Sequence, residues 1–313
     1  MKIGLIGRTN WLTRTAEKLI EAGRPPVFIL HGKAAEHDKT TDEDFQKLAD
    51  RAGCPLYRAK TIDDELLSNL KSHNADIVLS VNWAFILDKD VIDAFPLGIV
   101  NAHAGDLPRY RGNACPNWAI LNGEHEIGLC AQLMVPGEVD AGPILLQEKF
   151  PIDETSYIKD IYDWLDVKIP EILIASAFGL ENKSLKPEPQ STNPDHILRC
   201  YPRRPEDAEI DWKMDAVDIH RLIRASGNPF NGAYSYYEGK DKIKILKASI
   251  HQHSGQFLAV PGQILYAHEN KPVIACGYQS CLLIDEAEWD GMSTPEKQPL
   301  TYLSKHLRGR LFS

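Results

Sequence analysis

Short apolar runs alternate with amphipathic stretches through the first hundred residues, and this alternation restricts the fold more than any other feature. KIGLIG (2–7), PVFIL (26–30), ADIVLSV (75–81) and GIVNA (98–102) are apolar runs of strand length. Hydrophobicity without alternation means burial on both faces, as in a parallel sheet covered by helices. Between the runs lie LTRTAEKLIEAG (12–23), residues 41–53 and IDDELLSNLKSH (62–73), which read as helices. Gly23 suits a C-terminal cap, Thr41 an N-cap, and Glu43 falls in a first turn. This order predicts an α/β domain on a mostly parallel sheet.

Further along, CPNWAILNG (115–123) reads as a helix with Pro116 at its first position. LCAQLMV (129–135) and PILLQEKF (143–150) read as strands, with PGEVDAG between them. Residues 156–180 have helical periodicity that Pro170 must kink or divide. ENKSLKPEPQSTNPD (181–195) is polar and proline-rich, as expected of an exposed connector. After it the period drops to two. YSYYEG, KIKILKASI, QFLAV, PVIACGY and SCLLIDE read as short strands, interrupted by a helix at AVDIHRLIRAS (216–226). The expected organisation is a catalytic domain over 1–195 and a smaller β-rich barrel or sandwich over 196–313.

The 313 residues carry a formal net charge of −9, which disfavours nucleic acid as the partner. The six cysteines form no CxxC pair, and no nearby histidine completes a zinc pattern. Reduced thiols, no metal and a cytoplasmic location are therefore expected. The apolar run between Lys2 and Arg8 is too short for a signal peptide, and no stretch has the length of a membrane span.

The richest stretch is GIVNAHAGDLPRYRGN (98–113). Asn101 and His103 are two apart, so on a strand they share a face. They lie where a parallel sheet carries its chemistry, at a strand's C-terminal end. An asparagine amide can donate to a developing oxyanion, and a histidine can transfer a proton near neutral pH. Asp140, flanked by Gly137 and Gly142, lies between two apolar strands. Next to His103 it would hold the imidazole as the third member of a triad does. GLIGRTN (4–10) lacks the GxGxxG pattern and reads as a first βα turn; Asn10 and Trp11 in it are candidates for lining a pocket. Pro108 stiffens the next loop, Tyr110 offers a stacking face, and Arg109 and Arg111 can pair with phosphate or form internal ion pairs.

Taken in order, N-x-H, L-P-x-Y-R-G and D-x-G-P resemble the 10-formyltetrahydrofolate-dependent formyltransferase family. NAHAGDLPRYRGNACPNWAILNGE (101–124) and VPGEVDAGPIL (135–145) carry the resemblance. RRPEDAEIDW (203–212), IHRLIRASGNPFNGAY (219–234) and KIKILKA (242–248) extend it to the C-terminal domain of the methionyl-tRNA and sugar enzymes. The resemblance implies a Rossmann-like N-terminal domain and an OB-like C-terminal barrel. It implies 10-formyltetrahydrofolate as co-substrate, with Asn101, His103 and Asp140 as the catalytic residues. It also sets the folate against SVNWAFIL (80–87), through Trp83, Ile86 and Leu87, and against Val139 and Asp140. The acceptor would be a primary amine. Acidity, and the acidic DKTTDEDFQ (38–46) where tRNA enzymes place basic residues, disfavour tRNA. A second domain disfavours glycinamide ribonucleotide. The expected acceptor is a nucleotide-linked amino deoxysugar, bound through Asn10, Trp11, Arg109, Tyr110 and Arg111, in an enzyme of glycan biosynthesis. A methionyl-tRNA formyltransferase, a formyltetrahydrofolate hydrolase and a non-catalytic binding module are the alternatives, and a second copy of the chain is a candidate partner.

Overall fold

The apolar runs of the first half become fully buried parallel strands in the computed structural model, which describes residues 1–33, 40–291 and 298–312. The chain divides into two compact units. The first comprises Met1–Cys115, Glu126–Pro151 and Tyr162–Tyr201; the second comprises Pro116–His125, Ile152–Ile161 and Pro202–Ser313. Asp38 and Lys39, part of the acidic 38–46 stretch, lie outside the described residues.

In the first unit, β1 (Ile3–Gly7), β2 (Phe28–His31), β3 (Leu56–Arg58), β4 (Ile77–Val81) and β5 (Ile99–His103) run parallel. Helices α1 (Thr9–Glu21), α2 (Asp42–Ala52), α3 (Asp64–Ser72) and α4 (Lys89–Ile92) fall between them. A short β6 (Arg111–Gly112) precedes β7 (Glu126–Leu133) and β8 (Ile144–Pro151), while α5 (Cys115–Leu121), between β6 and β7 in the chain, belongs to the second unit from Pro116 on. β7 runs antiparallel to β5, and β8 antiparallel to β7, giving the order β3-β2-β1-β4-β5-β7-β8. The β3-β2-β1-β4-β5 part is the order of a doubly wound nucleotide-binding sheet, so the expected Rossmann-like fold is present. After the long α6 (Ile158–Glu181), β9 (Arg199–Cys200) pairs in parallel with β6.

Local chemistry explains the boundaries. Thr41 and Asp44 form a reciprocal capping box at the start of α2, and Gly53 ends it in the left-handed region. Pro170 lies inside α6 and does not divide it. Buried Leu165, Ile169, Ile172, Leu173 and Ala177 hold the helix together across the proline. α1 begins at Thr9, earlier than the apolar period suggests, so Asn10 and Trp11 sit in its first turn. β3 left no sequence signal because it is three partly exposed residues at the sheet edge.

The second unit contains α7 (Ala216–Ser226), β10 (Ala233–Tyr237), β11 (Asp241–His251), β12 (Ile264–His268), β13 (Lys271–Ala275), β14 (Cys281–Trp289), α8 (Pro299–Lys305) and β15 (Leu311–Phe312). Its antiparallel sheet has the order β12-β13-β14-β11-β10-β15. A bulge between Ile245 and Ala248 bends β11. An isolated bridge from Gln263 to Arg310 ties the chain beside β12 to the chain beside β15, so the sheet curls and its edges meet. This is the barrel-like arrangement expected of the C-terminal part. Its core joins Trp212, Ile219, Ile223, Ile245, Ile274 and Ile284. QFLAV (256–260) is not a strand: Leu258 is 99% exposed, and the segment finds no partner edge.

His220 on α7 carries a pH-dependent part of this unit's stability. Burial and then the neighbouring Arg224 charge lower its pKa from 6.5 to about 4. The folded imidazole thus stays neutral where the unfolded one protonates. Its contribution is complete above the unfolded value and is lost as pH falls towards the folded one, up to about 3 kcal/mol. His220→Gln should flatten the loss of stability between about pH 7 and about pH 4.5, measured by urea denaturation at each pH. An unchanged slope would remove His220 from this role.

Candidate active site

The site is built where β5 ends and β7 returns beside it. Asn101 and His103 share one face of β5; Asn101 lies opposite Gln132 and His103 opposite Cys130 in β7. His103 is 7% exposed. Its Nε2 is 2.6 Å from the Tyr110 carbonyl oxygen, and its Nδ1 is 3.4 Å from Asp140 Oδ2. Both ring nitrogens therefore face acceptor oxygens. A ring with one N–H satisfies one of them, and a doubly protonated ring satisfies both. Cys115 Sγ also donates to the Tyr110 carbonyl, at 3.0 Å. The Asn101 amide is partly exposed, and no described residue hydrogen-bonds it.

Asp140 lies between β7 and β8 at φ 55, in the left-handed region that an aspartate tolerates at a cost. Its carboxylate is nearly buried. Oδ1 accepts from Gln132 Nε2 at 2.8 Å, and Oδ2 accepts from the Gly112 backbone N–H at 2.9 Å. Gly142, two residues on, packs so closely that a Cβ there would lie 1.7 Å from the Leu133 carbonyl oxygen. The turn that aims Asp140 thus has room for glycine alone at that position.

His103 and Asp140, distant in sequence, lie side by side, a proximity that the residue spacing alone does not fix. The residues expected to hold the acceptor are placed differently. Asn10 Nδ2 and Trp11 Nε1 both donate to Asp166 Oδ1, at 3.0 and 2.6 Å. Tyr110 is 1% exposed and offers no open stacking face. Arg111 is buried and donates through Nε and Nη2 to Gln190 Oε1, at 3.2 and 2.8 Å. Of the two roles open to it, the structure gives Arg111 the internal one. Arg109 is exposed, with its guanidinium 5.6 Å from the Tyr110 ring centroid. In the expected folate segment Ile86 is 71% exposed, whereas Leu87 is 4% exposed and belongs to an apolar core cluster. Trp83 Nε1 is buried without a partner, and Val139 is exposed. Among the described residues, no group of three or more His, Cys, Asp or Glu is arranged to hold a metal ion, and no helix is long and apolar enough to cross a membrane.

Two glutamines escaped sequence reasoning. Gln132 had a signal, being a polar residue inside the apolar run LCAQLMV. Gln190 had none. It lies in the segment read as an exposed connector, yet that segment turns back: Glu188 bridges to Ile144, and Gln190 reaches Asp140 and Gly142. The connector is therefore partly a wall of the site.

Gly105 gives a test of this packing. A Cβ there would lie 2.2 Å from the Tyr110 carbonyl oxygen and 2.3 Å from His103 Nε2. Gly105→Ala should displace the imidazole and cost about 1–3 kcal/mol. Chemical denaturation measures the cost, and a crystal structure shows the ring position; an unmoved ring with full stability would refute the packing.

Comparison with known proteins shows the family. Residues 6–176 match the formyl transferase family, and residues 203–297 match its C-terminal domain. A methionyl-tRNA formyltransferase from Citrifermentans bemidjiense is 30% identical over 93% of this chain and 90% of its own length. Among solved structures, an N-formyltransferase from Helicobacter canadensis, in complex with folinic acid and dTDP-3-aminofucose, shares the fold. Its TM-score is 0.68 at 18% identity, covering 91% of this chain and 99% of that one. HypX from Aquifex aeolicus is a longer neighbour: the match has a TM-score of 0.60 at 18% identity and spans 90% of this chain but 43% of that one. The chain belongs to the formyl transferase family.

Proposed function

We propose that the protein transfers a formyl group from 10-formyltetrahydrofolate to the amine of a nucleotide-linked amino deoxysugar, using Asn101, His103 and Asp140. The observation that carries this reading is the arrangement at the end of β5. His103 is fixed between the Tyr110 carbonyl and the Asp140 carboxylate, and the Asn101 amide on the same face is unengaged. That amide can donate to the formyl oxygen as it gains charge. His103 is held between the Tyr110 carbonyl and the Asp140 carboxylate, and Asp140 supports the charge on the ring when it takes a proton. The proton leaving the attacking amine passes to the His103–Asp140 pair, which returns one to the departing folate nitrogen.

The donor's flat ring needs an apolar wall with a polar edge. The segment after β4 supplies exposed Phe85 and Ile86 beside the orphaned Trp83 indole N–H, which fits that need. The folate supplies an activated formyl group; these residues bind and orient it. The sugar acceptor is supported by the acidic net charge of −9 and by the fold shared with an enzyme solved with a nucleotide-linked amino sugar. Initiator tRNA is the second reading, favoured by the 30% identity to methionyl-tRNA formyltransferases along nearly the whole chain.

Incubation with 10-formyltetrahydrofolate and a panel of acceptors separates the two. The panel holds dTDP-linked 3-amino and 4-amino deoxysugars, charged initiator tRNA and glycinamide ribonucleotide. Mass spectrometry should find one added formyl group on a sugar; formylated tRNA would replace the sugar reading with the second one. On the accepted substrate, Asn101→Ala should lower kcat about 10²–10³-fold and His103→Ala about 10²–10⁴-fold. Near-normal turnover in either variant would end the role given to that residue.

A further inference from the structure

We infer that Gln190 is a positioning residue that sets Asp140 for formyl transfer, an inference that rests on the role proposed above for Asp140. Its carboxamide is used on both sides. Oε1 accepts two N–H bonds from Arg111, at 3.2 and 2.8 Å. Nε2 donates to the carbonyl oxygens of Asp140 at 2.9 Å and Gly142 at 2.7 Å, and lies 3.3 Å from Gln132 Oε1. Arg111 has only donors and the carbonyls have only acceptors, so a single orientation of the amide satisfies the site.

The two carbonyls flank Ala141, so Gln190 clamps the turn on the C-terminal side of the strained Asp140 backbone. The same side chain stands beside Gln132, whose own amide donates to Asp140 Oδ1. Backbone and carboxylate of Asp140 are thereby tied to one amide. A carboxylate at position 190 would pair better with Arg111, whose nearest acidic group in an ion pair is Glu138 at 3.9 Å. It would also set negative charge against two carbonyls and the Asp140 carboxylate. The neutral amide is the group that serves the cation and the acceptors together. The Leu133 N–H closes the base of this turn on the Pro143 carbonyl at 2.9 Å, and a side chain from the segment after α6 adds the two bonds above it.

The test compares Gln190→Ala, Gln190→Glu and Asp140→Asn, alone and combined, in the full chain. Tetrahydrofolate release is followed with 10-formyltetrahydrofolate and the acceptor panel, and crystal structures of both Gln190 variants are solved. Either Gln190 variant should lower kcat about 10- to 100-fold with the donor KM nearly unchanged, because misplacement by about 1 Å has that effect. In the Asp140→Asn background the Gln190 change should cost less than about twofold, since both act through one carboxylate. The structures should show Asp140 withdrawn from His103 beyond about 4 Å. Near-normal kcat in both Gln190 variants, a fully additive loss, or an unmoved Asp140 would overturn the inference. Full activity of Asp140→Asn, or a wild-type chain inert on every acceptor, would overturn the proposed function instead. The positions of Asp140 in the two crystal structures then decide the role of Gln190.

Discussion

The candidate site depends on holding one buried carboxylate in place. Asp140 gathers a side-chain N–H from β7, a backbone N–H from β6 and the imidazole of His103 from β5. Removing a carboxylate from water is costly unless such donors replace it. The sheet topology supplies them. β7 runs antiparallel to β5 with Leu133 opposite Val100, so the loop after it leaves beside the start of β5 and folds back to bring Asp140 to Gln132 and His103.

A second ring of contacts makes the first rigid. β6 pairs with β9, and the Arg111 N–H donates to the Leu198 carbonyl at 2.9 Å. The segment after α6 is thereby laid against the loop that carries Tyr110 and Gly112. Tyr110 contributes through its backbone: its carbonyl holds His103 while its ring is buried. The loop thus presents Arg109 to solvent but neither the Tyr110 ring nor Arg111.

The second unit solves a different problem. Its antiparallel sheet would expose two edges, and the bulged β11 with the Gln263–Arg310 bridge brings them together. Within it, buried Arg224 donates to the carbonyls of Asp153 and Ser156, at 2.9 and 2.8 Å. The guanidinium thus satisfies backbone groups that the turn leaves open, and its charge helps keep His220 neutral.

Elements whose cause is local were legible in the residues alone. Apolar runs marked β1, β2, β4 and β5, the Thr41 and Gly53 caps marked α2, and the spacing of Asn101 and His103 placed both on one strand face. The sequence also marked Asp140 as a candidate, through its setting between two strands. Tertiary structure decided everything that depends on which acceptor a donor meets. Arg111 found Gln190 instead of an open face, Trp11 found Asp166, and Gln190 crossed from a polar connector into the site. Side-chain partners follow from where distant strands bring their ends, and residue spacing carries no record of that distance.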